Sequence, residues 1–350
     1  MTEINFETIE FSKNVCIKDL TTIKTNAYVK GIFYPKNKAE FVFIYNYLKI
    51  NNIRFEILGN GSNVLFPNKN NDILLISTQK MQQICKKYKN FVKFSSNMTL
   101  SQIFEFCKKH NLGGFEKIAT IPGTLGGSLK INAGCFNDKI FDNLISVEIL
   151  KNGKVINIKK ENILYGYRFT NLQDCAILSA KFSLPCVEKS DLIKTNINTL
   201  LLRASKQPKG FSMGSVFKNP PGYSAGFLIE QCGLKGYRKN DAYFSEVHSN
   251  FIINEQNASG DDIMFLINLA KTEVKEKFNI DLELEIFLIR DSSFHSEWHQ
   301  PKHWATIVVT KKHGFLRAFF LWFYFSFLYK HNILDRLLFQ LWLLLSKPCH

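Results

Sequence analysis

The chain reads as an α+β protein of two units followed by a tail of different character, and three observations lead there. Residues 1–185 alternate short apolar runs with amphipathic helical patterns. After Pro185 the texture shifts to three helices and a closing strand, and beyond residue 290 the composition changes abruptly. The 350 residues are 45% hydrophobic, enough to bury one large core or two ordinary ones. A charged fraction of 21% and a mean hydropathy of -0.09 suit a globular chain, not a multi-span membrane protein.

The elements follow in order. Residues 31–34 read as a short strand, and Lys38–Ile50 places Phe41, Ile44, Tyr45 and Leu48 at helical spacing. Residues 54–58 form a strand ending at a glycine turn, and 73–76 another. Residues 99–110 form a helix opened by Thr99 or Ser101, with Ile103, Phe104, Phe106 and Cys107 on its apolar side. Strands at 146–150 and 155–158 flank Asn152-Gly153, the strongest short hairpin signal. A strand at 176–184 completes the first unit. The second holds helices over 189–206, 224–232 and 261–278, then a strand over 281–289. The two units are expected to meet near residues 186–195, giving divisions at 1–190, 191–290 and a tail, 291–350.

Composition narrows the function classes. The formal charge is +15, yet only seven of the 45 basic residues are Arg, so a dedicated nucleic-acid surface is not expected. The eight cysteines show no CxxC spacing, which signals neither zinc nor a disulfide framework; free thiols in a reducing, cytoplasmic setting are expected, and no metal. The N-terminus lacks the apolar region of a secretory signal. All four Trp and six of eight His follow residue 290, where apolar runs of 12 (318–329) and nine (337–345) residues are each too short to span a bilayer. Three readings stand for this tail: an interfacial membrane anchor aided by Arg317, Lys330 and Arg336, a helical pair docking on a partner, or an extension of no evolved function.

Chemistry is written in a few motifs. Gly59-Asn60-Gly61-Ser62-Asn63 directly follows a strand, and its two glycines can take positive φ so that N–H groups converge as in an anion-holding nest. It is neither a Walker loop nor a Rossmann turn, and a plain tight turn would explain it alone. Residues 119–128 (Ala-Thr-Ile-Pro-Gly-Thr-Leu-Gly-Gly-Ser), then Asn132 and Gly134, form a second, denser loop lacking side-chain bulk. Two such loops together point to a phosphate-bearing planar cofactor. Arg168 stands among aromatics, with a guanidinium fork suited to a carboxylate. Ser215 lies between a glycine and an apolar pair without the surroundings of a hydrolase nucleophile, and a Ser here could donate a proton provided nearby cations stabilise its oxyanion. The alternation of residues 282–286 puts Glu283 and Glu285 on one strand face.

Taken together, these motifs resemble the UDP-N-acetylenolpyruvoylglucosamine reductase family over residues 20–290, in order and with family-like spacing. Residues 205–208 (Ser-Lys-Gln-Pro), 214–221 (Gly-Ser-Val-Phe-Lys-Asn-Pro-Pro) and 282–286 complete the set. The resemblance implies an FAD-binding domain of the vanillyl-alcohol-oxidase (PCMH) type followed by a smaller α+β substrate domain. It implies that Gly59 to Asn63 and Ile121, Pro122, Gly123, Thr124, Gly126, Gly127 and Ser128 hold FAD, with Asn132 and Gly134 continuing that wall. Arg168 and Glu285 would flank the enolpyruvyl carboxylate, Ser215 would donate the proton, and Arg203, Lys206 and Asn219 would contact the UDP-sugar or the nicotinamide of NADPH. The implied protein is a cytoplasmic monomer of cell-wall synthesis. Thr25-Asn26-Ala27 stands where the family has a Thr-Gly-Gly type run, and the 47 positions between Arg168 and Ser215 resemble the family's short form. The alternatives are another FAD-dependent oxidoreductase of the same cofactor fold, or a non-catalytic nucleotide- or membrane-surface-binding protein.

Overall fold

A computed structural model describes residues 6–289; Arg290 and the tail lie outside the described residues. The first sheet contains β1 (Glu10–Cys16), β2 (Tyr28–Tyr34), β3 (Phe55–Leu58) and, after the short β4 (Val64–Leu65), β5 (Asn70–Ser77), in the order β1-β2-β5-β3. β2 and β3 run parallel to β5, while β1 pairs antiparallel on the outside. Sequence reading missed β1 because its residues are mostly exposed and show no apolar alternation. α1 (Lys38–Ile50) begins at Asn37, whose side chain accepts from the Glu40 N–H.

A second, antiparallel sheet is built from β6 (Cys85–Lys87) and β7 (Val92–Ser95), followed after α2 (Leu100–Lys109) and α3 (Leu125–Lys130) by further strands. β8 (Gly134–Cys135) and β9 (Asp138–Lys139) form a small hairpin apart from it. β10 (Leu144–Lys151) and β11 (Lys154–Lys159) follow, then β12 (Tyr165–Gly166) and β13 (Phe169–Thr170) as another small hairpin, and β14 (Ala176–Phe182). The five-stranded order is β11-β10-β14-β7-β6. The β10–β11 turn sets Asn152 at φ 49° and Gly153 at φ 75°, the left-handed pair that a two-residue hairpin requires. Thr99 opens α2 through a capping box with Gln102. α2 and α3 bury one face of this sheet around Phe94, Phe115, Phe141 and Phe182. α1 lies against both sheets, with Phe41, Ile44 and Leu48 meeting Phe33 and Ile76 of the first and Leu150 and Ala176 of the second.

Residues beyond Pro185 form α4 (Lys189–Lys206), α5 (Ala225–Gln231), the strands β15 (Arg238–Lys239), β16 (Ala242–Phe244) and β17 (Ile252–Asn254), and α6 (Gly260–Phe278). Val216, Phe217, Leu228, Phe244, Ile252, Leu266 and Ile267 make a separate core, which also takes in Ile23 and Leu65 from the start of the chain. The closing strand expected over 281–289 is largely replaced by irregular chain. Leu282 and Ile286 drop into that core, Leu284 makes an isolated bridge to Phe217, and only β18 (Phe287–Leu288) pairs, parallel to β4. The alternation was real, but its partner is a loop and not a sheet.

Asn254 stitches the beginning of the chain to this core. It is buried, donates from Nδ2 to the carbonyls of Ile23 (2.8 Å) and Lys24 (3.2 Å), and accepts from the Ala258 N–H (2.9 Å). Asn254→Ala strands these groups without partners and is expected to cost about 2 kcal/mol. Denaturant unfolding monitored by circular dichroism checks this, and an unchanged midpoint contradicts it.

Candidate active site

The two glycine-rich loops meet. A Cβ on Gly59 would lie 2.6 Å from Thr124 Oγ1, and Ser62 Oγ donates to the Pro122 carbonyl at 2.6 Å. The expectation that both Gly59 and Gly61 take positive φ is half right. Gly61 does (φ 60°), and a Cβ there would also strike the Leu20 carbonyl oxygen at 2.0 Å, whereas Gly59 is small to admit Thr124. Thr124 caps α3 by accepting from the Gly127 N–H at 3.4 Å. The Leu125 and Gly126 amides are already spent on the Met98 and Ser96 carbonyls, both at 2.8 Å. At Gly123 and Gly127, by contrast, a Cβ would find no atom closer than 3.4 Å, so this wall is smooth and uncrowded.

At the end of the second loop, the buried Asn132 Oδ1 has no protein partner. Asn132 Nδ2 already donates to the Gly166 carbonyl at 2.9 Å, so its oxygen awaits a donor from outside the chain. A smooth glycine wall edged by an unsatisfied polar atom fits a flat, polar-rimmed ring such as that of FAD.

Arg168 stands at the tip of the β12–β13 hairpin with φ 53°, a left-handed conformation that costs energy in a non-glycine residue. The arm is fastened to the end of α3. Thr170 Oγ1 and Gln173 Nε2 both donate to the Lys130 carbonyl (2.6 and 2.7 Å), and Lys130 Nζ donates back to the Gln173 carbonyl at 2.6 Å. So held, Arg168 donates through Nε to Glu285 Oε1 at 2.5 Å and through Nη2 to the Gly134 carbonyl at 3.0 Å. The Tyr167 ring centroid lies 5.2 Å from the guanidinium, and Tyr167 Oη accepts from the Asn219 N–H at 3.3 Å. Burial pushes the Glu285 carboxyl above its ordinary range, and the Arg168 charge pulls it back down in part.

Ser215 lies on the neighbouring segment. It bridges to Phe251, and the adjacent Val216 carbonyl accepts from the Glu285 N–H at 2.8 Å. Asn250 pins this segment from the other side, exchanging 2.9 and 2.8 Å bonds with the Phe217 backbone. Asn63 Nδ2 donates to the Glu285 carbonyl at 3.0 Å, which joins the first glycine loop to the same point. Arg203 reaches the Cys135 thiol next to Gly134, and burial lowers the pKa of its guanidinium and raises that of the thiol. Asn219 uses Oδ1 to accept from the Ala225 N–H at 3.0 Å, and so shapes the loop before α5. Lys206 sits exposed at the end of α4, with no contact to this cluster among the described residues.

The structure thus gathers Arg168, Glu285, the Ser215 segment, Asn63, Asn132, Gly134 and Arg203, and leaves Lys206 outside. Tyr167, Thr170, Gln173 and Asn250 were not legible as site-builders. Each acts through contacts 33 to 52 positions away in sequence, which no local pattern announces.

Fold and site together define a two-part flavoprotein, an FAD-binding domain of the PCMH type joined to a smaller α+β module. Residues 29–159 match the FAD binding domain family, and residues 207–289 match the family described as UDP-N-acetylenolpyruvoylglucosamine reductase, C-terminal domain. The chain is 36% identical over 278 residues to the UDP-N-acetylenolpyruvoylglucosamine reductase of Fusobacterium nucleatum, covering 78% of this chain and 97% of that one. The Campylobacter jejuni protein of the same name is 40% identical over 236 residues, covering 67% and 88%. The crystal structure of the Thermus caldophilus reductase superposes with a TM-score of 0.67 at 28% identity, covering 81% of this chain and 99% of that chain. The chain belongs to the UDP-N-acetylenolpyruvoylglucosamine reductase family.

The clamp on Lys130 makes a direct prediction. Thr170 is fully buried, and Thr170→Val preserves its shape while deleting the donor to the Lys130 carbonyl. A loss of roughly 1–2 kcal/mol is expected. Thermal unfolding of the two proteins side by side measures it, and an increase in stability contradicts the clamp.

Proposed function

We propose that this chain is an NADPH-dependent flavoenzyme that reduces UDP-N-acetylglucosamine enolpyruvate to UDP-N-acetylmuramate in the cytoplasm. The observation that carries the reading is the Arg168–Glu285 ion pair. It joins the cofactor-side arm to the C-terminal module, next to the Ser215 segment and one hydrogen bond from the first glycine loop. Support comes from the relatives named above and from the smooth, partly unsatisfied wall at Gly123, Gly127 and Asn132.

FAD, when bound, supplies the hydride chemistry between NADPH and the substrate. The protein's residues supply everything else. Gly59 to Asn63 and Ile121 to Ser128 hold the cofactor, with Asn132 and Gly134 as continuation. Arg168 presents its fork to the enolpyruvyl carboxylate. As hydride reaches the vinyl methylene carbon, negative charge develops on the neighbouring carbon and its carboxylate, where Arg168 stabilises it. Ser215 then donates a proton to that carbon. Glu285 holds the guanidinium in place, and its own burial keeps water from competing for the pair. Arg203, Lys206 and Asn219 serve the UDP-sugar side.

Ser215→Ala is expected to leave flavin reduction by NADPH nearly intact. Reoxidation by the enolpyruvyl sugar nucleotide should slow by more than ~100-fold. Anaerobic stopped-flow measurement of each half-reaction decides it, since unchanged reoxidation removes Ser215 from the mechanism.

The pH profile offers a second test. Glu285 binds its proton at a higher pH than a free glutamate because burial disfavours the carboxylate. Acid therefore neutralises Glu285 and breaks its pairing with Arg168 before ordinary carboxylates titrate. Reoxidation should fall as pH drops through a value above the usual 4.5 for glutamate, and Glu285→Gln should flatten that acidic limb while lowering the plateau. An acidic limb that survives in Glu285→Gln assigns the titration to another group.

A further inference from the structure

One face of the five-stranded sheet carries lysines set in register. Lys86 on β6 lies opposite Lys93 on β7, Lys93 opposite Lys181 on β14, Lys181 opposite Ser146 on β10, and Ser146 opposite Lys159 on β11. Directly opposed residues project to the same side, so four ammonium groups line one row across the sheet. The alternate residues Val92, Phe94, Val147, Ala180 and Phe182 point the other way, into the core beneath α2 and α3. On the lysine side, α1 covers only the far end, over Leu150 and Ala176, and its first residue, Lys38, reaches Glu148 at 2.8 Å. Beyond that point the face opens into a groove of about 850 Å³ lined by Phe91, Ser146, Asn157, Lys159, Lys181 and Tyr165.

Like charges opposed on neighbouring strands cost stability. By contrast, Lys30 on β2 is paired with Asp72 of the neighbouring β5. In the row, Lys86 and Lys181 have no carboxylate partner among the described residues. Glu148 is shared between Lys38 and Lys93, and Lys159 has Glu161 at 3.5 Å. The β6–β7 turn adds Lys89 beside a stacked Tyr88–Phe91 pair with ring centroids 4.5 Å apart. Tyr88, Ile145 and Tyr165 stand exposed at the rim.

We infer that this face docks on an anionic phospholipid surface. The row spreads its charges across four strands, which matches the distributed charge of a membrane surface in a way that a single phosphate does not. The row contains no Arg, the residue whose fork grips phosphates and bases one at a time, whereas hydrated lysines add up through long-range attraction to a charged sheet of lipid. Rim aromatics next to lysines suit the headgroup layer. α3 and its glycine loop pack on the opposite side of the sheet, so docking leaves them uncovered.

The test uses the full chain with phosphatidylglycerol vesicles and, as a control, phosphatidylcholine vesicles. Each lysine near an anionic surface contributes roughly fivefold to partitioning. Replacing three of them, Lys86→Gln, Lys159→Gln and Lys181→Gln, is therefore expected to lower co-sedimentation roughly a hundredfold at low salt, with flavin absorbance unchanged. The two exposed positions alone, Lys86→Gln with Lys159→Gln, should lose roughly twentyfold, a comparison that stands even if Lys181 matters for folding. High salt should release the wild-type chain, and phosphatidylcholine should not retain it. A wild-type chain that ignores phosphatidylglycerol overturns the inference, as does a variant that partitions like the wild type. Lysine-dependent retention of duplex DNA in place of vesicles also overturns it and reassigns the face.

Discussion

A buried guanidinium needs a buried carboxylate, and the contact between Arg168 and Glu285 organises the site around that need. Their side chains are only 20% and 13% exposed, so removing either partner would leave a charge stranded in a poorly hydrated place. The pair spans 117 positions and requires two separate segments to arrive together. One segment is the hairpin tip that holds Arg168 at positive φ, backed by the Lys130 clamp. The other is the irregular stretch before β18, aligned by Phe217, Val216 and Asn63. The strain at Arg168 persists because hydrogen bonds on both sides of the tip leave it no alternative.

The charge around this pair is asymmetric. Arg168, Arg203 and Lys218 approach from three elements, while the nearby acids are each paired or exposed: Glu285 with Arg168, Asp138 with Lys117, and Glu283 largely exposed beside Lys218. A region with surplus positive charge and a partly excluded solvent favours an anionic substrate and stabilises charge that develops on it. Arg203 contributes from a desolvated position against Cys135, so its charge is weakly screened. The thiol itself is held protonated by burial, which makes it packing material and not a nucleophile.

Glycine does two different jobs in the loops that would cradle the cofactor. Gly61 is small for the sake of the Leu20–Thr21 backbone, and Gly59 is small for Thr124, which brings the two loops into contact. Gly123 and Gly127 are small with almost nothing in front of them. The first pair builds the cradle and the second leaves it open. A glycine count alone merges these roles, and only the neighbours of each position separate them.

What the sequence determined by itself was local. Thr99 and Ser224 mark helix starts, and Asn152-Gly153 fixes a hairpin, because caps and tight turns are decided by residues within a few positions of one another. The motifs also named Arg168, Ser215 and Glu285. Tertiary structure decided how they meet and what supports them. The strictly alternating segment 281–289 was expected to join a sheet, yet its apolar residues drop into a helix-lined core and its backbone bonds go to the loop at 216–218, which turns Glu285 toward Arg168 and leaves Glu283 exposed. The Lys130 clamp, Tyr167 and the lysine row are likewise invisible in sequence. Strand register and long-range hydrogen bonds depend on which distant segments share a core, and that is settled only when the whole chain packs.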